Sequence, residues 1–578
     1  MTLSYEKVPL EIFSDVFTAF TELSSVSLGA HVISVSDEFF AEAENLLKVE
    51  PAASLKGQFG PNGALYSGWE SRRHNPTYDW CIISLGTTGT ITGFDVDTSH
   101  FNGNEAPEVS VSAMHGLPTE RPLVDGPGWF EILPKVPLGP NSRHLFKIPG
   151  TEKVNFVKLN MYPDGGIARF RVYGKVSAAF PENPHQSFDL AHVFAGGHVE
   201  FTSDQHFGVG SNLILPGRGK DMGDGWETKR SRQIGHKDWA IIRLGAPGIL
   251  EHMVLDTAHF KGNFPESCEV YASSAPNSID PRMPDDQEQW TLILPRTKLG
   301  PHRQHHFQLI NVTETTYSHV KVIIYPDGGI KRVRVIGRRI ALESRTSASS
   351  IVSVTSAVDD DSSHVPADGL AAIKGASQVS HITSIPVLPL TPEAFAPFGQ
   401  VLQAYFDRAA VPKGIRVTPA NGGTASKFHK LSILHSAYPE SSEATTGISI
   451  YRCKPLADIE EDGTLRLTVL ERHPFTNQAF IPMGGGKGED AIIDPGDRYL
   501  AVVAKNGPDD KPDIQTLRAF MATTAQGIMY NTGIWHQPMT VLGKPLDLAC
   551  VETQIGDGSP ADCDIVKLDA SLQIRLKF

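Results

Sequence analysis

The sequence predicts an all-β protein: two β-sandwich or jelly-roll domains followed by a β-barrel. Three observations carry this reading. The first half repeats itself at an offset near 160 residues. Each copy is made of short β-branched or aromatic runs divided by Gly, Pro, Asn and Asp. The last third has similar strand-like runs but no match to the repeat.

The repeat is read from paired blocks. Ser36-Asp37-Glu38-Phe39-Phe40 returns as Ser203-Asp204-Gln205-His206-Phe207, and Trp69-Glu70 returns as Trp226-Glu227. Asp79-Trp80 returns as Asp238-Trp239, and Leu138-Gly139-Pro140 as Leu299-Gly300-Pro301. Asp97-Thr98-Ser99-His100-Phe101 returns as Asp256-Thr257-Ala258-His259-Phe260, each followed by Gly-Asn. Tyr162-Pro163-Asp164-Gly165-Gly166-Ile167 is repeated without change from Tyr325 to Ile330. Solenoid units recur every 20–50 residues or so, so this is a duplicated domain: residues 1–180 and 181–340. Val32-Ile33-Ser34-Val35 and Phe170-Arg171-Val172-Tyr173 are typical of its strands. Pro-Asp-Gly-Gly reads as a turn with residues that tolerate positive φ.

Residues 341–384 change texture. From Ser344 to Ser363 the chain is rich in Ser, Thr, Ala and acidic residues, including Asp359-Asp360-Asp361. This predicts a flexible linker. A coil of about 40 residues spans roughly 35 Å, so the two halves are expected to pack little against each other. Residues 385–578 open with Leu390-Thr391-Pro392-Glu393, a helix start with threonine at the cap and proline at the first position. Strand-like runs follow at Gly447–Tyr451, Thr464–Leu470, Tyr499–Ala504 and Leu546–Val551, consistent with one barrel. The stretch Gly484-Gly485-Gly486-Lys487 is glycine-rich but lacks the Lys-Ser/Thr of a phosphate-binding loop.

Bulk properties exclude some classes. The chain has 578 residues and a formal net charge of −13, with no basic tract of the kind that reads as a nucleic-acid footprint. No apolar run is long enough to span a membrane. Five cysteines, none in a CxxC pair, suit free thiols in a reducing compartment. No signal segment is visible, so a cytoplasmic location is expected.

The blocks Trp69-Glu70-Ser71-Arg72-Arg73, Asp97 to Asn104 and Tyr162 to Ile167, each present twice, resemble allantoicase over about residues 10–340. The resemblance implies two jelly-roll domains of the galactose-binding-like type and conversion of allantoate and water to ureidoglycolate and urea. Residues 385–570 resemble ureidoglycolate lyase through Leu470-Glu471-Arg472-His473-Pro474-Phe475, Gln478 to Pro482, Asp510 to Asp513, Leu517 to Phe520 and Trp535-His536-Gln537-Pro538. This second resemblance implies a cupin-like barrel, a homodimer formed through that domain, and cleavage of ureidoglycolate to glyoxylate and urea. Gln537 stands where family members often carry a second histidine.

The chemistry needs protons moved at a departing nitrogen and a cation for the substrate carboxylate. Glu70, His100, Glu227 and His259 are therefore the acid–base candidates of the duplicated half. Arg73, Asn104, Arg230 and Asn263 are the substrate-binding candidates. In the last domain His473 and His536 are the catalytic candidates, with Arg472, Gln478 and Lys505 as substrate contacts. The sequence leaves the cofactor open between none, the favoured reading, and a divalent metal in the last domain, which would take His473, Gln478 and His536. Trp69, Trp80, Trp226 and Trp239 are expected in packing, and Asp79, Asp238 and the Pro-Asp-Gly-Gly turns in architecture. The histidines stay open between catalysis and a structural role. A competing reading is a binding protein, two sandwiches joined to a degenerate cupin that dimerises, or an enzyme with one active half.

Overall fold

The computed structural model describes residues 4–578 except 118, 275–289, 314, 341–383, 413, 456–458, 461–463, 485–495 and 570–573. The expected linker, apart from Ser384, and the glycine-rich stretch from Gly485 lie outside the described residues.

Each copy of the duplicated half is a sandwich built on one long strand. Asp79–Asp97 and its counterpart Asp238–Asp256 run for 19 residues each. Residues 79–84 pair with Lys153–Tyr162 and His31–Val35, while residues 93–97 pair with Arg143–Lys147 and Arg169–Val176. The strand therefore serves both layers, bending where its pairings shift register, as bulges require. The second copy repeats this with His198–Thr202, Gln304–Gln308, Thr316–Tyr325 and Arg332–Arg339. Among the described residues these sheets hold nine and eight strands. Their inner faces carry Ile83, Phe94, Val109, Val157 and Phe170 in one copy, and Ile242, Leu255, Val270, Val322 and Val333 in the other.

The repeated blocks meet at one place. Trp69–Glu70 pairs with Gly166–Ile167, and Trp226–Glu227 with Gly329–Ile330. The rings of Phe101 and Phe260 lie against these glycines. A Cβ at Gly166 or Gly329 would sit 2.0 Å from a ring carbon, so only glycine fits. Trp69 and Trp226 are fully buried, whereas Trp80 and Trp239 are half-buried. Asp79 and Asp238 are buried and accept hydrogen bonds of 2.7 Å from Ser36 and Ser203. Asp164 and Asp327, in the turns, accept backbone N–H groups of Asn75 and Ser231. The architectural reading of these residues matches their contacts.

In the last domain a nine-stranded and a five-stranded sheet, counted among the described residues, curl around a shared interior. The strand Arg498–Ala504 is covered on both faces. Tyr499, Ala501 and Val503 join Phe395, Phe520 and Tyr530, whereas Leu500, Val502 and Ala504 join Leu470 and Trp535. This is strand alternation with each face buried. Thr391 caps Pro392–Phe395 as expected, its hydroxyl accepting the Ala394 N–H.

The two halves do touch, contrary to the expectation of little packing. Glu393, 9% exposed at its side chain, pairs with Arg303 at 3.2 Å, and Asp407 pairs with Lys261 at 2.7 Å. Arg303 also donates to the Ala410 carbonyl. A linker's composition reports its own inability to fold, not the fit of the surfaces it joins. The five cysteines are free thiols, and among the described residues no helix is long and apolar enough to cross a membrane.

Because the Gly166 site has no room for a methyl group, Gly166→Ala is expected to destabilise the chain by about 1–3 kcal/mol. Urea unfolding measures it, and a change under about 0.5 kcal/mol, the size of an ordinary surface effect, contradicts the packing described.

Candidate active sites

In the first copy, alternation along Trp69–Glu70 sends the indole into the core and the carboxyl into a cleft. Trp69 donates its indole N–H to the Asp37 carbonyl at 2.8 Å. Glu70, 8% exposed, accepts the Asn104 amide at 2.9 Å. Burial pushes the Glu70 carboxyl above its usual range, while the Asn104 hydrogen bond and the Arg73 charge act against this. Arg73 is exposed at the rim and donates to the Gly103 carbonyl at 2.9 Å. These groups share a cleft of about 290 Å³ with Phe40, Tyr66 and Asn102. Tyr66 stacks on Phe101 with centroids 4.8 Å apart. One phenylalanine thus links the glycine turn to the wall of the cleft.

The sequence-level candidates Glu70, Arg73 and Asn104 come together here, but His100 does not join them. Its backbone lies in the left-handed region at φ 70°. Its N–H donates to Asn141, and its exposed ring contacts the Ala52 carbonyl at 3.1 Å. His259 has the same φ region, at 69°, and its N–H donates to His302 Nδ1. Both histidines therefore shape the loop that carries Phe101 or Phe260, and the acid–base role expected of them has no geometric support. The second copy keeps a Glu227–Asn263 pair at 2.6 Å, with Arg230 exposed nearby in sequence. Tyr66, Phe40 and Asn102 were missed by the sequence reading. Asn102 lies inside the quoted block. Tyr66 carries no repeat signal, because the second copy has Gly223 there.

In the last domain the strand Val469–Arg472 alternates in the same way. Leu470 packs outward with Trp535. Glu471 turns to the interior, and Arg472 turns away from it. The Arg472 guanidinium is held by Asp510 at 2.6 and 2.7 Å and by Asp564 at 2.9 Å, and lies 4.7 Å from the Trp535 ring centroid. These partners commit Arg472 to structure, which corrects its assignment as a substrate contact. Lys505 stands exposed just past the strand Arg498–Ala504.

His536 and Trp535 face opposite ways, as a strand requires. Trp535 donates to Asn506 at 2.8 Å, while His536 stacks on Tyr530 at 4.1 Å and on His473 at 5.6 Å. His536 Nδ1 is 3.0 Å from the Ile534 carbonyl, and His473 Nδ1 is 2.7 Å from the Asp562 carbonyl. A carbonyl only accepts, so each Nδ1 carries the proton and each Nε2 presents a lone pair. His536 Nε2 is buried without a hydrogen-bond partner among the described residues and lies 3.8 Å from Glu471 Oε1. Burial lowers His473, and burial with the nearby His473 takes His536 down to about 3. Burial, then the charge of Glu552, raises Glu471 to about 7. Gln478 donates to Glu552 at 2.8 Å and so orients that carboxylate.

Donor atoms of Glu471, His473 and His536 lie within 4.8 Å of one another. Neutral imidazoles anchored at Nδ1 on carbonyls, with a carboxylate beside them, suit a divalent cation. Glu471 takes the third place that Gln478 was expected to fill. An ion there would supply Lewis-acid charge at a substrate oxygen.

Residues 21–177 and 188–340 match the allantoicase repeat, and residues 382–575 match ureidoglycolate lyase. A probable allantoicase of Schizosaccharomyces pombe is 49% identical over 324 residues, covering 55% of this chain and 93% of that protein. An allantoicase of Neurospora crassa is 46% identical over 325 residues, covering 55% of this chain and 91% of that one. A crystal structure of allantoicase from Saccharomyces cerevisiae matches with a TM-score of 0.51 at 40% identity, covering 58% of this chain and 100% of that chain.

The raised Glu471 carboxyl has a consequence for stability. Its ordinary value is 4.5 and its folded value about 7, so the folded state holds the extra proton between these limits. That contribution is fully present below the lower value and is lost as pH rises through the upper one. Glu471→Gln lacks this loss. Its stability relative to the parent is expected to increase from pH 5 to pH 8 in urea unfolding, and a constant difference contradicts the burial described.

Proposed function

We infer that this chain, which belongs to the allantoicase family and carries a ureidoglycolate lyase domain behind it, releases urea twice at two separate clusters. The chain is a bifunctional enzyme of allantoin breakdown. Allantoate and water give ureidoglycolate and urea, and ureidoglycolate then gives glyoxylate and urea. The first product is the second substrate, which gives the fusion a chemical reason.

For the first step the supporting observation is the buried Glu70–Asn104 pair beside Arg73 in one cleft. Arg73 at the rim receives the substrate carboxylate. Asn104 donates one N–H to Glu70 and accepts the Asn102 backbone N–H at its amide oxygen, which leaves its second N–H and one lone pair for a ureido group. Burial helps Glu70 hold a proton, which it gives to the departing nitrogen as the carbon–nitrogen bond breaks. Water adds its oxygen to the same carbon and releases a proton, which restores Glu70.

For the second step the supporting observation is the unpaired His536 Nε2 facing Glu471. The imidazole takes the hydroxyl proton of ureidoglycolate as the carbonyl forms. Glu471 gives its proton to the urea nitrogen as the carbon–nitrogen bond breaks. The carboxylate left behind stabilises the imidazolium across the 3.8 Å gap, which offsets the low basicity of a buried histidine. Proton return between the pair resets the site. His473, anchored on the Asp562 carbonyl, offers Nε2 to a ureido N–H.

A homodimer through the lyase domain is supported by one sheet edge. The strand Thr445–Cys453 pairs with Leu546–Gln554 on one side and ends the five-stranded order. It exposes Ile448 at 74% and Ile450 at 55%, near the exposed Ile481 and Met483. An exposed apolar edge of this kind is normally covered, and a second copy offers the same strand.

Two outcomes test these readings. His536→Ala is expected to lower ureidoglycolate turnover by at least about 100-fold, the usual worth of an acid–base group. The fold and the allantoate step should be unaffected, so ureidoglycolate accumulates and one urea is released per allantoate. Near-normal glyoxylate formation removes His536 from the mechanism; lost thermal stability with unchanged turnover per folded molecule assigns it to structure. For the edge strand, Ile448→Asp with Ile450→Asp is expected to convert a dimer to a monomer in sedimentation velocity. A dimer that persists in the double variant refutes this interface.

A further inference from the structure

The two copies of the repeat differ at the site. Arg169 donates to Ser67, and Arg332 donates to Asp224 in the same way. These bonds fix the correspondence: Ser67 with Asp224, Tyr66 with Gly223, and Leu65 with Met222. The Phe-x-Gly-Asn blocks likewise match Asn102 with Lys261.

We propose that allantoate is cleaved in the first copy alone, with Tyr66 and Asn102 as substrate contacts, the second copy being catalytically silent; this rests on the Glu70–Asn104 cleft being the allantoate site. In the first copy the Tyr66 ring, stacked on Phe101, forms an aromatic wall of the cleft. Asn102 lines the same cleft with a side chain that both donates and accepts. A ureido group carries one acceptor oxygen and several N–H donors, so a carboxamide is its natural complement. The second copy has lost both features. Gly223 supplies no ring. Lys261 only donates, and its ammonium is engaged by Asp407 of the lyase domain at 2.7 Å.

The second copy has also gained an obstruction. Met222 Sδ lies 3.5 Å from the Asn263 amide nitrogen that faces Glu227. Its loop is tied down from below, since Lys331 pairs with Asp224 and donates to the Asp221 carbonyl. The first copy has Ala168 in place of Lys331, and no such tie can form. The Arg303–Glu393 pair adds a second contact from the same copy to the lyase domain. The residue at the Asn102 position of the second copy is thus engaged by the neighbouring domain.

The test uses the full-length enzyme and four variants, assayed for allantoate consumption, ureidoglycolate cleavage and melting temperature. Glu70→Gln is expected to lower allantoate turnover by at least about 100-fold, with ureidoglycolate cleavage unchanged as an internal measure of folding. Glu227→Gln is expected to leave allantoate turnover within about two-fold of the parent, a change too small to be a lost transition-state contact. Asn102→Ala and Tyr66→Gly are expected to raise KM for allantoate by about ten-fold or more, the usual size of a lost specific contact, with melting little changed. Loss of turnover in Glu227→Gln, alone or alongside Glu70→Gln, overturns the proposal. An unchanged KM in both Asn102→Ala and Tyr66→Gly also overturns it. If neither glutamate variant affects allantoate, the Glu70–Asn104 assignment itself fails.

Discussion

Strand alternation, locked by a buried tryptophan, is the constraint on which both sites depend. Three times in this chain a tryptophan is followed directly by a polar site residue: Trp69-Glu70, Trp226-Glu227 and Trp535-His536. Successive side chains on a strand point to opposite faces. Each indole is buried, and each indole N–H is tied down, to the Asp37 carbonyl, the Asp204 carbonyl and the Asn506 side chain. Turning the strand over would expose a large apolar ring and leave a buried donor unsatisfied. The neighbouring carboxyl or imidazole is thereby held on the other face, although its own desolvation opposes that placement. The stability of the core positions groups that would otherwise prefer water.

The same burial tunes the chemistry. Glu70 and Glu471 are raised, while His473 and His536 are lowered, and in each case desolvation is the leading cause. The second cluster therefore holds two neutral imidazoles near neutral pH, with Glu471 partly protonated beside the charge of Glu552. Desolvation favours the neutral forms, and the substrate then brings its own charge. The first site is more open. Arg73 stays at its rim, where a charged group costs little and a carboxylate can be met.

Much of this could be read in the sequence. The duplication, the all-β class and the barrel followed from repeated blocks and from strand-length runs. Glu70, Arg73 and Asn104 stood in those blocks, and His473 and His536 stood in the blocks that resemble the lyase. What failed had physical reasons. His100 and His259 lie in a left-handed backbone conformation, at φ 70° and 69°, which no spacing rule for strands anticipates. Arg472 could not be told from a substrate contact until Asp510 and Asp564 appeared beside it, 38 and 92 residues away in the chain. Tyr66 gave no sign because only one copy has it. The contact between halves was hidden because Glu393 and Arg303 lie on either side of a segment whose composition predicts separation.

The central claim is that one chain holds two complete and separable sites, joined by an intermediate that one makes and the other consumes. Mixing the Glu70→Gln chain with the His536→Ala chain tests it most directly. Supplied with allantoate, neither variant alone should form glyoxylate at an appreciable rate. Together they should release two ureas and one glyoxylate per allantoate, because each retains the site the other lacks. If the mixture forms no more glyoxylate than the two chains separately, the sites are not independent and the account is wrong.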